Sequence, residues 1–112
     1  MAAYIVMAMT NAAAGREDAY NRWLDEVHIP EVLAVPGFES VQRYELTDAQ
    51  RAPVPHPYRY AAVYEVETDD LPATLAALGV AVTQGRKTDT NDPSRRAIWV
   101  FAPRGSKRPS RP

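Results

Sequence analysis

A histidine at the predicted end of a helix is the residue of this chain best suited to acid/base chemistry. The segment YNRWLDEVHIP, residues 20–30, has helical periodicity, and Pro30 disfavours helical geometry at the preceding residue. The helix is therefore predicted to cover residues 16–28. Imidazole titrates near neutral pH, and a helix C-terminus favours its protonated form. His28 is predicted to act as a general acid or base, with Asn21 on the same flank. The alternative is a histidine that bonds the last carbonyl groups of its own helix.

Tyrosines on two predicted strands can supply hydrogen bonds to a substrate oxygen. Alternation puts Phe38, Gln42 and Tyr44 on one face of one strand, and Tyr60 and Tyr64 on one face of the next. Tyrosine serves equally well in cores and dimer interfaces, which is the alternative here. Trp23 lies on the apolar stripe of the first helix, where a core role is the alternative. The predicted catalytic residues are His28 and Tyr44, and the predicted substrate-binding residues are Asn21, Trp23, Gln42, Tyr60 and Tyr64.

Two arginines lie in these two strands, which a polar loop with three prolines is predicted to join into a hairpin. Arg43 or Arg59 can hold a substrate carboxylate through two parallel hydrogen bonds. Pairing with Glu45 or Glu65 across the hairpin is the favoured interpretation, because opposite charges on neighbouring strands attract.

Other chemistries find little support in the sequence. The chain has no cysteine, and its two histidines, His28 and His56, lack metal-binding spacing, so no metal site is predicted. His56 lies between two prolines and is more typical of an exposed loop, as Asn11 is of a turn. No glycine-rich phosphate loop or Gly-x-Ser-x-Gly motif occurs. Proton transfer on a bound small molecule, without a cofactor, is the chemistry that remains.

The elements that position these residues alternate in a recognisable order. Apolar runs and period-two alternation predict strands, and residues 68–70 can cap a second helix that contains Leu71, Leu75, Leu78 and Val82. The order strand, helix, strand, strand, helix, strand is that of a ferredoxin-like α+β fold. It predicts a four-stranded antiparallel sheet with both helices on one face. The strands are predicted at residues 3–9, 38–46, 58–66 and 96–102. A Val-Pro-Gly-Phe turn is predicted at residues 35–38, and loops are predicted at residues 10–15, 47–57 and 85–94.

Length and charge limit the setting of this domain. A chain of 112 residues with 46% hydrophobic composition fits one domain, predicted over residues 1–102, with a basic and disordered tail at 103–112. The tail holds four basic residues, so the remainder has nine basic and 14 acidic side chains. An acidic body argues against nucleic acid as a partner. No apolar run is long enough to span a membrane, and a cytoplasmic setting is expected.

One face of the predicted sheet has no element of this chain to cover it. Both faces carry aromatic or apolar side chains, and the pattern leaves open which face meets the helices. An exposed face of this kind favours a homodimer in which two sheets pack together. Space between the sheet and the first helix would then accept a small apolar or aromatic ligand.

The segments YNRWLDEVHIPEVLAVPGFESVQRYEL and YRYAAVYEVETDDL resemble the dimeric α/β-barrel proteins, and among them the small EthD-like bacterial proteins. The likeness extends over residues 3–102. The resemblance implies a ferredoxin-like dimer and a histidine at the helix end as a plausible catalytic group. The superfamily includes cyclases, isomerases, cofactor-free monooxygenases, haem-degrading enzymes and members without known activity. Haem-degrading members use Asn, Trp and His, and this chain has Asn11, Trp23, Trp99 and His28.

These observations favour a cofactor-independent isomerase, cyclase or lyase. Its substrate would be aromatic, lactone-like or polyketide-like, and His28 would transfer the proton while a tyrosine polarises an oxygen. A cofactor-free monooxygenase acting on a phenol is one alternative. A non-catalytic protein that binds a metabolite with the same fold is another.

Overall fold

The computed structural model describes residues 1–111 and has the predicted ferredoxin-like architecture. Four strands form one antiparallel sheet in the order β2-β3-β1-β4, and the helices cover one face. The confirmed order of elements is β1 (Ala2–Ala12), α1 (Glu17–Trp23), a π-helical segment (Leu24–His28), α2 (Ile29–Leu33), β2 (Phe38–Glu45), β3 (Tyr60–Thr68), α3 (Leu71–Gln84) and β4 (Asn91–Phe101).

The edge strand β4 is longer than predicted and contains a bulge. Ala12 pairs with Asn91, whereas Thr10 pairs with Arg96, so residues 92–95 form an excursion opposite Asn11. The prediction had assigned residues 85–94 to a loop because they hold polar residues and a proline. A proline is tolerated here because bulges and edge strands do not need its missing N–H.

The first helix does not end at His28, so that prediction was wrong. The backbone N–H of Ile29 bonds the carbonyl oxygen of Leu24, five residues back, and Pro30 occupies the first turn of α2. A proline inside a regular α-helix clashes with the carbonyl four residues before it and lacks the N–H to bond it. The π-helical turn before Pro30 changes the hydrogen-bond register, so the helical path continues to Leu33.

A second bulge decides which side chains of β2 face the helices. Phe38 pairs with Val66, but Ser40 pairs with Glu65, so the alternation shifts by one residue between them. The predicted single face holding Phe38, Gln42 and Tyr44 is therefore wrong. Phe38, Val41 and Arg43 face the helices, whereas Ser40, Gln42 and Tyr44 face away.

The core lies between the helix-side face of the sheet and the helices α2 and α3. Val6 and Val66 are almost fully buried, and Phe38 packs edge-on against Tyr64 with ring centroids 5.7 Å apart. An aromatic pair of this geometry adds about 0.5–1.5 kcal/mol beyond its buried area. The buried members of this cluster are Val6, Val32, Val35, Phe38, Ala62, Tyr64 and Val66.

Two local features fix the chain around this core. The carboxylate of Asp70 accepts a hydrogen bond from the backbone N–H of Ala73 and caps α3, as predicted for that region. Gly37, in the predicted Val-Pro-Gly-Phe turn, has φ of +99°, and its carbonyl accepts from Glu67. A Cβ at this position would lie 3.1 Å from the Glu67 carbonyl oxygen, so the turn requires glycine.

The other face of the sheet is open and apolar. Tyr44, Trp99 and Phe101 are 55%, 53% and 47% exposed on this face. Ile5, Met7, Met9 and Val63 lie on the same face between them. We refer to these seven residues as the open face.

The last residues of the described chain hold no regular element. Residues 102–111 contain neither helix nor strand, and Pro112 lies outside the described residues. The division into a domain at 1–102 and a disordered tail stays a prediction. Among residues 1–111, no helix is both long and apolar enough to cross a membrane.

Candidate functional site

A cavity of about 240 Å³ opens between the sheet and the helices. Its floor is the helix-side face of β1, β3 and β4. One wall is formed by α1 and the π-helical segment, and the opposite wall by the end of α3 and the segment that leads to β4. The lining includes Thr10, Tyr20, Trp23, His28, Arg43, Tyr60, Tyr64, Arg86, Lys87 and Arg96.

His28 lies in this wall and stacks on Trp23. The two ring centroids are 4.9 Å apart and the planes are inclined by 20°. Residues five apart in a regular α-helix lie about 140° apart around the axis, so they do not share a face. Bonding across five residues in the π-helical turn brings them together. The π-helical segment therefore positions His28 on Trp23.

Burial and two nearby charges set the protonation of His28. Burial lowers the pKa of His28 from its ordinary value, and Lys87 lowers it further, whereas Glu31 acts in the opposite direction. The ring is consequently neutral at neutral pH and can accept a proton. This corrects the expectation that a helix C-terminus favours the protonated ring, because His28 does not lie at a helix end.

Arg43 reaches across the cavity wall to the first helix. Its Nη1 donates to the Asp25 carboxylate at 3.1 Å and its Nη2 donates to the Asn21 side-chain oxygen at 2.6 Å. The guanidinium carbon also lies 5.6 Å from the centre of the Tyr60 ring. The predicted pairing of Arg43 across the hairpin was wrong, because the β2 bulge turns it to the helix side. Both terminal nitrogens of Arg43 therefore already have partners.

The phenols of Tyr20 and Tyr64 stay protonated at neutral pH. Burial raises the pKa of Tyr64 to about 12, although Arg43 lowers it in part. Burial also raises the pKa of Tyr20, whose hydroxyl donates to Thr10 at 2.6 Å. Tyr64 is therefore a hydrogen-bond donor in the cavity lining, whereas the hydroxyl of Tyr20 already donates its proton to Thr10.

One buried donor in the cavity wall has no partner. Within residues 1–111, the indole Nε1 of Trp23 is the only buried side-chain nitrogen or oxygen atom without a hydrogen bond. An unpaired buried donor costs about 1–3 kcal/mol. Trp23 thus offers an unsatisfied N–H beside His28.

The structure brings some of the predicted site residues together and separates others. Trp23, His28, Tyr60 and Tyr64 line the cavity. Asn21 does not line the cavity, but its side-chain oxygen accepts a hydrogen bond from Arg43, which does. Tyr44 and Gln42 lie on the far side of the sheet and do not line the cavity, since the β2 bulge reverses the face on which they lie.

Arg59 and His56 behave as their sequence context predicted, whereas Asn11 does not lie in a turn, because β1 extends to Ala12. The side chain of Asn11 donates to the Pro57 carbonyl at 2.7 Å and accepts from the Arg59 backbone at 2.8 Å, so it closes the hairpin loop. Arg59 pairs with Glu45 at 3.4 Å, as predicted. His56 is exposed in that loop.

Sequence reasoning missed the residues on the α3 side of the cavity. Arg86 and Lys87 follow α3, and Arg96 lies on β4 opposite Thr10. Nothing in the local sequence marks them, because the segment looked like an exposed polar loop. The four-stranded topology could have indicated them, since β4 must lie beside β1.

Comparison with known proteins places the chain in a family. The model of DUF4286, described as a domain of unknown function, matches residues 1–74. This chain belongs to the DUF4286 family. A search of curated protein sequences finds no significant match.

Solved structures share the fold of this DUF4286 protein. A candidate monooxygenase from Shewanella loihica is 13% identical with a TM-score of 0.62, over 94% of this chain and 97% of that one. An EthD family protein from Bacillus halodurans is 8% identical with a TM-score of 0.61, over 93% and 100%. The haem degrader MhuD from Mycobacterium tuberculosis, solved with two haems in its active site, is 17% identical with a TM-score of 0.60, over 93% and 98%. The predicted likeness to EthD-like proteins is confirmed for the fold.

The residues of this DUF4286 protein do not fit a haem. The cavity of about 240 Å³ falls just below the roughly 300–1,000 Å³ of ordinary ligand pockets, so it has room for a small molecule but not for a tetrapyrrole ring. The Asn11 side chain is occupied in the hairpin loop, and Trp99 lies on the open face. The His28 ring packs against Trp23. A separate finding concerns bare metal ions: in the part of the chain that the structure describes, no group of three or more His, Asp or Glu side chains could hold one.

Proposed function

We propose that this protein is a cofactor-independent enzyme of the isomerase, cyclase or lyase type. Its substrate would be an aromatic, lactone-like or polyketide-like small molecule. One observation carries the proposal: a neutral imidazole, His28, and a protonated phenol, Tyr64, line the same cavity. A base and a hydrogen-bond donor are what proton transfer next to a carbonyl group requires.

The two residues would divide the reaction between them. The imidazole of His28 takes a proton from the carbon next to a substrate carbonyl, and the electron pair of that C–H bond moves onto the carbonyl oxygen. Tyr64 donates a hydrogen bond to the resulting enolate oxygen. The imidazolium of His28 then returns the proton to another carbon, which gives isomerisation, or to a leaving group, which gives elimination. Stacking on Trp23 keeps the ring in place during both transfers.

A ligand screen followed over time tests this proposal. Hydroxyaromatics, lactones and short polyketide mimics would be incubated with the protein in D₂O, and ¹H NMR would report binding, conversion and exchange at carbon. We expect His28→Ala to lose conversion and Tyr64→Phe to lose about 10²–10³-fold in rate, with binding retained.

The chain provides matched controls for both variants. His56 is the second histidine and lies in an exposed loop, and Tyr44 lies on the open face, so His56→Ala and Tyr44→Phe should convert substrate at the wild-type rate. Conversion by His28→Ala at the wild-type rate would exclude His28 as the base. Binding without conversion by any form of the protein would favour the alternative of a metabolite-binding protein.

A cofactor-free monooxygenase is the second candidate, favoured by the fold shared with the candidate monooxygenase. His28 would deprotonate a phenol, and the electron-rich phenolate would supply the electrons that reduce O₂. One oxygen atom would enter the ring to give a quinone, and the other would leave as water. The same screen under air and under nitrogen separates the two candidates. Conversion that requires oxygen, with measurable O₂ consumption, supports the monooxygenase, and conversion under nitrogen supports proton transfer alone.

We also propose that the protein is a homodimer that packs through the open face. Apolar side chains that stay about half exposed on a sheet favour association. Trp99→Lys and Phe101→Glu should convert a dimer into a monomer, measured by analytical ultracentrifugation. Val80→Lys, on the exposed side of α3, is the control and should leave the dimer intact. A monomeric wild type would refute the proposal.

A further inference from the structure

Three positively charged and solvent-exposed residues line the cavity. Arg86 and Lys87 lie in the segment after α3, and Arg96 projects from β4 on the helix side of the sheet. The lining contains one carboxylate, that of Asp92. This carboxylate is held locally, because it accepts hydrogen bonds from the backbone N–H and the hydroxyl of Ser94 at 2.9 and 2.5 Å.

None of the three cations is neutralised by the protein. Within residues 1–111, Arg86, Lys87 and Arg96 form no ion pair, whereas Arg43 on the opposite wall is bound to Asp25 and Asn21. The Nζ of Lys87 donates only to the carbonyl oxygen of Val82. An acidic domain thus keeps a cationic cavity wall, which is unexpected for its composition.

The segment that holds Arg86 and Lys87 is hydrogen-bonded to α2. The Glu31 carboxylate of α2 accepts from the backbone N–H of Arg86 at 3.2–3.3 Å. Gly85 allows this contact, because a Cβ there would lie 2.5 Å from a Glu31 oxygen. The charge of Lys87 reaches His28, since it lowers the pKa of that ring. The cationic wall and the proposed base therefore face one cavity.

We propose that the small molecule bound in this cavity carries a carboxylate group, which Arg86, Lys87 and Arg96 bind, while its apolar body lies against Trp23 and Tyr64. This inference rests on the proposed function for the choice of cavity and adds the charge of the ligand. Arginine binds carboxylates through paired hydrogen bonds, and lysine adds a flexible charge.

Two matched pairs of probes test the charge requirement. Benzoate with benzamide, and 1-hydroxy-2-naphthoate with its amide, differ in charge but little in size. Dissociation constants would be measured by isothermal titration calorimetry at low and moderate salt. We expect at least one carboxylate to bind about tenfold more tightly than its amide, with a difference that shrinks as salt is raised.

Variants connect this preference to the cationic wall. Arg96→Gln and Lys87→Gln should each weaken carboxylate binding about fivefold to twentyfold and leave amide binding unchanged. Arg95→Gln is the matched control, because Arg95 is the exposed neighbour of Arg96 and does not line the cavity. Thermal unfolding would confirm that all variants fold.

The outcomes separate this inference from the proposed function. Amides that bind as tightly as their carboxylates, variants that bind like wild type, or no carboxylate-selective binding in either pair would each overturn it. A neutral compound that His28 converts would leave the proposed reaction standing without a carboxylate requirement. Carboxylate binding that depends on Arg96 and Lys87, with no compound of the activity screen converted, would support the inference and favour the metabolite-binding protein over the enzyme.

Discussion

Replacing Tyr64 by phenylalanine should make the stability of this protein less sensitive to alkaline pH. The phenol is 4% exposed, and burial raises its pKa to about 12. An unfolded chain ionises tyrosine at about 10, so the unfolded state loses this proton first. The stabilisation is fully present below about pH 10 and is lost as the pH rises through about 12.

The difference between these two pKa values gives the size of the effect. At pH 11 the linkage relation yields about 1.4 kcal/mol of lost stability from Tyr64. The complete loss, above both pKa values, is about 2.7 kcal/mol. Arg43 contributes to this balance, because its charge favours the ionised phenol.

Urea unfolding at several pH values between about 8 and 11 measures this difference directly. The free energy of unfolding of wild type should decline more steeply than that of Tyr64→Phe above about pH 10. Tyr44→Phe removes an exposed phenol from the open face and should follow wild type. Absorbance at 295 nm should show that Tyr64→Phe lacks one phenol that ionises late.

Equal slopes for wild type and Tyr64→Phe would refute the reasoning. In that case the phenol would be as well solvated in the folded state as in the unfolded chain. Tyr64 would then hold its proton no more firmly than a solvated tyrosine, and the proposed stabilisation of an enolate would lose its physical basis.

Two further predictions concern the wall of the cavity and the turn before β2. In an NMR titration the pKa of His28 should lie below its ordinary value, Glu31→Gln should lower it further, and Lys87→Gln should raise it. Since the folded state disfavours the charged ring, the free energy of unfolding should fall as the pH drops from neutrality through this pKa. Gly37→Ala should cost about 2–4 kcal/mol in urea unfolding, because strained backbone and a close carbonyl oxygen add together. Gly15→Ala, at a similar positive φ in open space, should cost only about 1 kcal/mol, and equal costs would contradict the role of the contact.

The fold was predictable because the spacing of apolar side chains in each element matches the period of a helix or of a strand. β3 alternates strictly, and Tyr60, Ala62, Tyr64 and Val66 are all buried against the helices. The two bulges were not predictable. A bulge adds a residue to one strand without changing the hydrophobic pattern nearby, so Tyr44 appeared to share a face with Phe38.

The candidate site was predictable only where it lies on regular elements. His28, Trp23, Tyr60 and Tyr64 were found from the helix and from β3. The cationic residues were missed because they become neighbours only when β4 pairs with β1, a contact between distant parts of the chain.

The π-helical segment connects the helix with the proposed chemistry. Pro30 had indicated a helix end, on the general rule that the residue before a proline avoids helical geometry. The chain instead changes its hydrogen-bond register over one turn and continues, and that turn alone places His28 over Trp23. The same helix then contributes Glu31, which fixes the segment that holds the cations Arg86 and Lys87. A continuous first helix can therefore position the proposed base on one side of the cavity and the segment of Arg86 and Lys87 on the other. A helix that ended at His28 could position only the first.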